Sequence, residues 1–242
     1  MDWTKAKTIL IIALIVTDFF LIGACMRKED NRELKNETAL LHVLEENEIY
    51  VDLPRIPEKH GDMSTLSVEH RTVSEAEKEQ LLASASFQVS GTGETDYTDI
   101  GKRLLKELRL DQEEIEEKEI RRQEDGSVEV VFGCTANGKE LAGSSIDFVF
   151  RNGQLAAIDS SLFLPREFSE KKLRTISAAA ALINFMAERE EHETVHIAEM
   201  HLVYWINRDS YESSEAVSDT ALPAWKITLT DGRDFYIEAL EK

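Results

Sequence analysis

Three stretches of this 242-residue chain carry residue types that could do chemistry. The first is His192-Glu193-Thr194-Val195-His196, which fits the pattern H-E-x-x-H. On a helix, histidines at i and i+4 share a face and can hold zinc while the glutamate acts as base. The context is wrong for that helix. Glu188-Arg189-Glu190-Glu191 ahead of it is fully charged, and Val195, Ile197, Leu202, Tyr204 and Ile206 behind it read as strand. Neither His192 nor His196 is therefore expected to be a zinc ligand, and Glu199 and His201 are candidates for a third ligand only by proximity. The second stretch runs from Gly133 to Gly138-Lys139, one residue short of a phosphate-binding loop. Glu140 stands where a Ser or Thr would meet magnesium, and a carboxylate there repels phosphate, so Asn137-Gly138 reads more simply as a hairpin turn. The third is a single carboxylate, Asp18, inside an apolar run.

That run, Thr8 to Met26, is apolar except for Thr8, Thr17 and Asp18. About 20 residues at ~1.5 Å each match a ~30 Å hydrocarbon core, so Met1–Met26 is expected to be an uncleaved transmembrane anchor. A carboxylate at mid-helix costs ~2.5–3.5 kcal/mol on insertion scales, and intramembrane ionisable residues are functional by default. Thr17 lies beside Asp18, while Ala13 and Ala24 flank Thr17 at i−4 and i+7 and offer a small-residue face to a second helix. Asp18, Thr17, Ala13 and Ala24 are thus the expected partner-binding residues. Lys5 and Lys7 precede the run, and Arg27, Lys28, Arg32 and Lys35 follow it, so the positive-inside rule gives no orientation. A signal peptide would need an A-x-A-like site, which does not follow the run. Leu21-Ile22-Gly23-Ala24-Cys25 resembles a lipoprotein signal, but Asp18 in the apolar stretch argues against anchoring at Cys25.

The net charge is −19. Asp2, Lys5, Lys7 and Asp18 cancel within the first 26 residues, so the acidity belongs to the body, which repels nucleic acid and anionic lipid. Cys25 and Cys134 are not expected to meet, and no cysteine set has metal spacing. No cofactor is implied. The elements needed to position any site follow from periodicity. Asn31–Asn47 reads as a helix, Ile49–Val51 as a short strand, Thr65–Val73 as a strand, and Ser74 as the N-cap of a helix with acids in its first turn. Ser90 to Glu94 is a linker by composition. Tyr97–Leu110 carries the stripe Ile100, Leu104, Leu105 and Leu108. Four turn dipeptides follow, Asp125-Gly126, Asn137-Gly138, Asn152-Gly153 and Asp231-Gly232, each expected to be a type I′ hairpin. They delimit a meander of Glu119–Gln123, Ser127–Thr135, Ser145–Phe150 and Gln154–Leu162. A helix over Glu170–Arg189 and strands Val195–Ile206, Ala224–Leu229 and Arg233–Ala239 complete the chain. Phe148-x-Phe150-x-x-Gly153-x4-Ile158 echoes Ile227-x-Leu229-x-x-Gly232-x4-Ile237, a hint of two related units. The fold class expected is α+β: one transmembrane helix, then a body of antiparallel sheets each packed by helices. The divisions are 1–27 (tip and anchor), 28–95 (membrane-proximal subdomain and linker) and 96–242 (helix, four-strand meander, helix, three strands).

Both ends of the chain resemble the YycI (WalI) family. At the front these are Met1-Asp2-Trp3, Lys5, Lys7-Thr8 and Asp18-Phe19-Phe20-Leu21. At the tail they are Leu222-Pro223-Ala224-Trp225-Lys226-Ile227, Asp231-Gly232 and Phe235-Tyr236-Ile237, and Leu53-Pro54 resembles the membrane-proximal part. The resemblance implies a non-enzymatic, single-pass regulator of the WalK/WalR (YycG/YycF) two-component system, linked to cell-wall control. It further implies a cytoplasmic N-terminus, an extracytoplasmic body, and helix contacts with the sensor kinase WalK and the related protein YycH in the bilayer. The alternatives are a membrane-anchored zinc metallopeptidase using His192, Glu193 and His196, and a lipoprotein-type binding domain anchored at Cys25.

Overall fold

In the computed structural model, residues 38–52, 56–57, 61–89, 93–189, 193–206 and 218–241 are described. The apolar run, with Ala13, Thr17, Asp18, Ala24 and Cys25, lies outside them, as does His192. No helix of the described residues is long and apolar enough to cross a membrane.

Local chemistry starts most elements. After helix α1 (38–46) and strand β1 (Ile49–Val51) comes β2 (Met63–Arg71), then α2 (Glu75–Leu82). Ser74 closes a capping box on α2. Its hydroxyl accepts from Glu77 N–H at 3.3 Å, and Glu77 accepts from Ser74 N–H at 2.8 Å. The Ser74 hydroxyl also donates to the Glu77 carboxylate at 2.7 Å, and that bond, the one from Ser74 N–H and the Arg71 guanidinium pull the Glu77 pKa down to about 2. A 3₁₀ turn (Ala85–Phe87) leads to α3 (Glu94–Glu107), whose stripe Tyr97, Ile100, Leu104 and Leu105 is buried. Strands β3 (Ile115–Arg122), β4 (Val128–Ala136), β5 (Lys139–Arg151) and β6 (Gln154–Leu173) form a meander. Helix α4 (Ala178–Glu188) and strands β7 (Val195–Trp205), β8 (Ser218–Leu229) and β9 (Asp234–Glu238) complete it.

The four turns divide by residue type. Asn137-Gly138 and Asn152-Gly153 have both residues at positive φ, the type I′ geometry. In Asp125-Gly126 and Asp231-Gly232 only the glycine is left-handed. Each aspartate accepts a hydrogen bond from the N–H two residues on, Ser127 at 2.9 Å and Arg233 at 3.0 Å. That bond holds the Asp in a right-handed turn and moves the positive φ to glycine alone.

The strands form one α+β assembly, but not the separate antiparallel sheets expected. A single mixed sheet runs β1-β7-β8-β2-β6-β5-β4-β3, with β9 on β8 and an added β7–β5 pairing. The β1–β7 and β5–β7 pairs are parallel and the others antiparallel. Two local features cause this. Strand β6 is 20 residues long: Gln154–Ser161 pair with β5, and Leu162–Leu173 pair with β2. Residues 170–173, expected as helix, are thus strand, and α4 begins only after Ser177, whose hydroxyl accepts from Ala180 N–H at 3.2 Å. The second feature is a wide bulge in β5. Gly133 pairs with Ser145 and the next β4 residue, Cys134, with Leu141, so 142–144 leave the β4 ladder, Gly143 at φ 81°. Ser144 bonds to both backbone groups of Phe163 at 2.9 Å, and Leu141-Ala142 pair with Tyr204-Trp205 of β7. The pairings therefore close a circuit β5–β6–β2–β8–β7 back to β5.

Two hydrophobic cores sit on this sheet. The first packs α2 and α3 on β2–β6, and the second packs α1 and α4 on β1 and β7–β9, with Leu202 touching both.

Candidate functional site

Where β5 meets β7 and β8, five charged or titratable side chains converge on the sheet face opposite α4. Lys226, on β8, is only 6 % exposed. Its Nζ lies 3.2 Å from Glu140 Oε2 and 3.0 Å from Asp234 Oδ2. Glu140 is the second residue of β5, just past the Asn137-Gly138 turn, and also takes Lys118 of β3 and His201 of β7, the latter at 3.5 Å. His201 is the cross-strand partner of Lys226, and Asp234 is fixed in turn by the Thr228 hydroxyl at 2.7 Å. Beside them the rings of Trp205 and Tyr236 stack at 5.6 Å, with Ala142, Val203 and Ala224 buried below. A shallow cleft of ≈ 370 Å³ opens next to Glu140 and His201, floored by Met200, Leu202 and Trp225.

The electrostatics fit a clamp rather than a proton-transfer centre. Burial works to raise the Glu140 pKa, but the His201 and Lys118 contacts and the charges of Lys118 and Lys226 hold it well below the usual carboxylate range. Burial works against the Lys226 charge, yet Glu140 and Asp234 keep it above the usual lysine value. Acid–base catalysis wants a pKa near the working pH, and both groups are driven away from it. A charge taken out of water is tolerated when paired and hydrogen-bonded, and here it ties strands of the first unit to strands of the second.

The sequence candidates are dispersed. His196 lies on β7, in strand, with its Nδ1 3.2 Å from Asp52 and its ring stacked on Tyr50 at 5.0 Å. Glu193 pairs instead with Arg233 at 2.5 Å. Among the described residues, no three of His, Cys, Asp and Glu come together as a metal would require. Gly133 and Cys134 belong to β4, and the turn after them is a hairpin turn. Cys134 is buried, which pushes its thiol up to about 11. Sequence reasoning passed over Lys226 and Asp234. The available signal was a lysine inside the apolar strand Ala224-Trp225-Lys226-Ile227, since a buried lysine requires a paired carboxylate.

Fold and site together define a sheet-rich α+β body whose buried Lys226 and its carboxylate partners join its own halves. A family model described as YycI protein matches residues 28–240, and the chain belongs to the YycI family. That membership associates it with the WalK/WalR two-component system as a regulatory accessory protein. No curated protein matches the chain.

Proposed function

We propose that this chain is a membrane-tethered accessory regulator of the sensor histidine kinase WalK. Its first 26 residues span the bilayer with the N-terminus in the cytoplasm. The remainder, 28–95 and 96–242, stands outside the cell membrane. The anchor packs against transmembrane helices of the kinase and of the related protein YycH, using Asp18, Thr17, Ala13 and Ala24. One observation carries this reading: the family match begins at residue 28, directly after an apolar run long enough to cross a bilayer.

The test is a two-hybrid assay in membranes, with the full chain against WalK. Interhelical hydrogen bonds in bilayers are worth ~0.6 kcal/mol on average and up to ~1.7, so Asp18→Leu weakens association without abolishing it. Asp18→Asn keeps the hydrogen bond and is mild. Wild-type association by Asp18→Leu at equal expression removes the helix-contact mechanism. A mature chain starting at a lipidated Cys25 replaces it with the lipoprotein reading.

A further inference from the structure

Strand β9 pairs with β8 on one side and has no strand on its other side among the described residues. The end of β6 and the residues after it reach that outer side only past the strand, where Ile176 N–H donates to Ala239 O and Glu241 N–H donates to Arg174 O. We propose that the open edge of β9 binds an extended peptide segment of another protein, in which lysine or arginine alternates with apolar residues.

Three features specify that occupant. The first is the phase of the backbone. Leu229 N–H donates to Arg233 O at 2.8 Å, Ala239 N–H donates to Pro223 O at 2.9 Å, and the register between these two bonds is regular. By alternation the backbone groups of Phe235 and Ile237 face β8, while those of Asp234, Tyr236 and Glu238 face outward. An added strand therefore meets three residues that offer both N–H and C=O, the means by which an open edge holds an extended peptide.

The second feature is apolar. Phe235 meets Phe185 of α4 edge-to-face, and Ile237 is buried in the same core. Helix α4 and β9 border a cleft of ≈ 340 Å³ lined by Phe185, Glu188, Phe235 and Ile237. Side chains directly opposite Phe235 and Ile237 on an added strand share this face, so apolar ones there extend the second core.

The third feature is charge. Asp234 and Glu238 are exposed and lie on the opposite face, on either side of Tyr236, whose ring stacks on Trp205. Cations directly opposite these acids are favoured. Laid antiparallel against its own reverse, β9 would set Asp234 against Glu238, so like charges disfavour a second copy of this edge. Charged side chains ordinarily blunt an edge against association. Here both carry one sign on one face, which repels acidic strands and admits basic ones.

The test is fluorescence anisotropy of fluorescein-Lys-Val-Thr-Val-Lys-amide titrated with the full chain in detergent micelles, with empty micelles as the blank. Added antiparallel, the threonine lies opposite Tyr236, the valines opposite Phe235 and Ile237, and the lysines opposite Asp234 and Glu238. The peptide binds saturably. Glutamate in place of both lysines weakens binding by about tenfold or more. Glu238→Lys weakens the parent peptide by about fivefold, and glutamate at the first peptide position recovers the loss. N-methylation of the threonine removes a donor aimed at β9 and weakens binding by about tenfold or more. N-methylation of either valine, whose N–H points away, leaves the affinity near that of the parent. Absence of saturable binding overturns the proposal, as does equal loss from threonine and valine methylation. A glutamate peptide that binds as well as the lysine peptide, or a Glu238→Lys chain that keeps wild-type affinity for the parent peptide, also overturns it.

Discussion

The two helix-on-sheet units solve one packing problem in different ways. In the first, α3 is amphipathic and meets the sheet through a glycine: a Cβ on Gly101 would lie 2.6 Å from the Phe132 ring. The helix comes closest to the sheet there, over an edge-to-face pair of Phe132 and Phe148 at 6.0 Å, while Tyr97 meets Phe150 at 5.5 Å. In the second, α4 is apolar nearly all round, and the small buried side chains of Ala178 and Ala181 allow approach along its length. Phe185 then meets Phe235 edge-to-face at 5.1 Å. The opposite sheet faces differ as well. The first unit leaves Glu129, Asp147 and Arg121 half-buried or exposed, whereas the second buries Lys226 and must neutralise it. The difference teaches that the echo between the β5–β6 and β8–β9 hairpins lies in the strand–turn–strand layout, and each helix contact is made with its own residues.

The largest expected effect tests whether the units are independent. Phe132→Ala and Phe185→Ala each remove a ring that is at most 2 % exposed and should each cost about 3–5 kcal/mol. Because the strand circuit joins the units, either change should lower one common urea transition, read by circular dichroism and by the fluorescence of Trp205 and Trp225. If Phe132→Ala melts the circular dichroism early and leaves the tryptophan signal at its wild-type midpoint, the units unfold separately.

Next in size is the clamp. Lys226→Met leaves Glu140 and Asp234 facing a buried methyl group and should cost about 3 kcal/mol in the same experiment. Lys118→Met, at the exposed end of the network, should cost less than about 1 kcal/mol. Equal losses would mean that the network does not depend on burial.

The smallest effect separates the two hairpin turns. Gly153 and Gly232 both have positive φ, at 74° and 87°, so alanine at either costs about 1–2 kcal/mol for the left-handed conformation. At Gly153 the new Cβ would also lie 2.7 Å from the Val89 carbonyl oxygen, while Gly232 has nothing within 4 Å. Gly153→Ala should therefore show the lower melting temperature, and the opposite order would contradict the close packing of Val89 on the first hairpin.

Sequence alone determined what depends on near neighbours. The Ser74 cap, the α3 stripe, the four turn positions and the strand character of Val195–Trp205 all follow from interactions a few residues apart. The echo of the two hairpins was legible for the same reason. Tertiary structure decided which strands pair. Nothing local distinguishes Glu170–Leu173 as a helix start from the end of a strand. Pairing with Met63-Ser64, more than a hundred residues earlier in the chain, makes it strand. The β5 bulge, the β5–β7 closure and the single mixed sheet arise likewise from partners distant in sequence. So does the charged cluster: Lys118, Glu140, His201, Lys226 and Asp234 come from five strands, and only the closure of the sheet brings them within hydrogen-bonding reach. Side-chain periodicity reports which face of an element is buried. It carries no information about which distant element covers that face, and the clamp lies at such a junction.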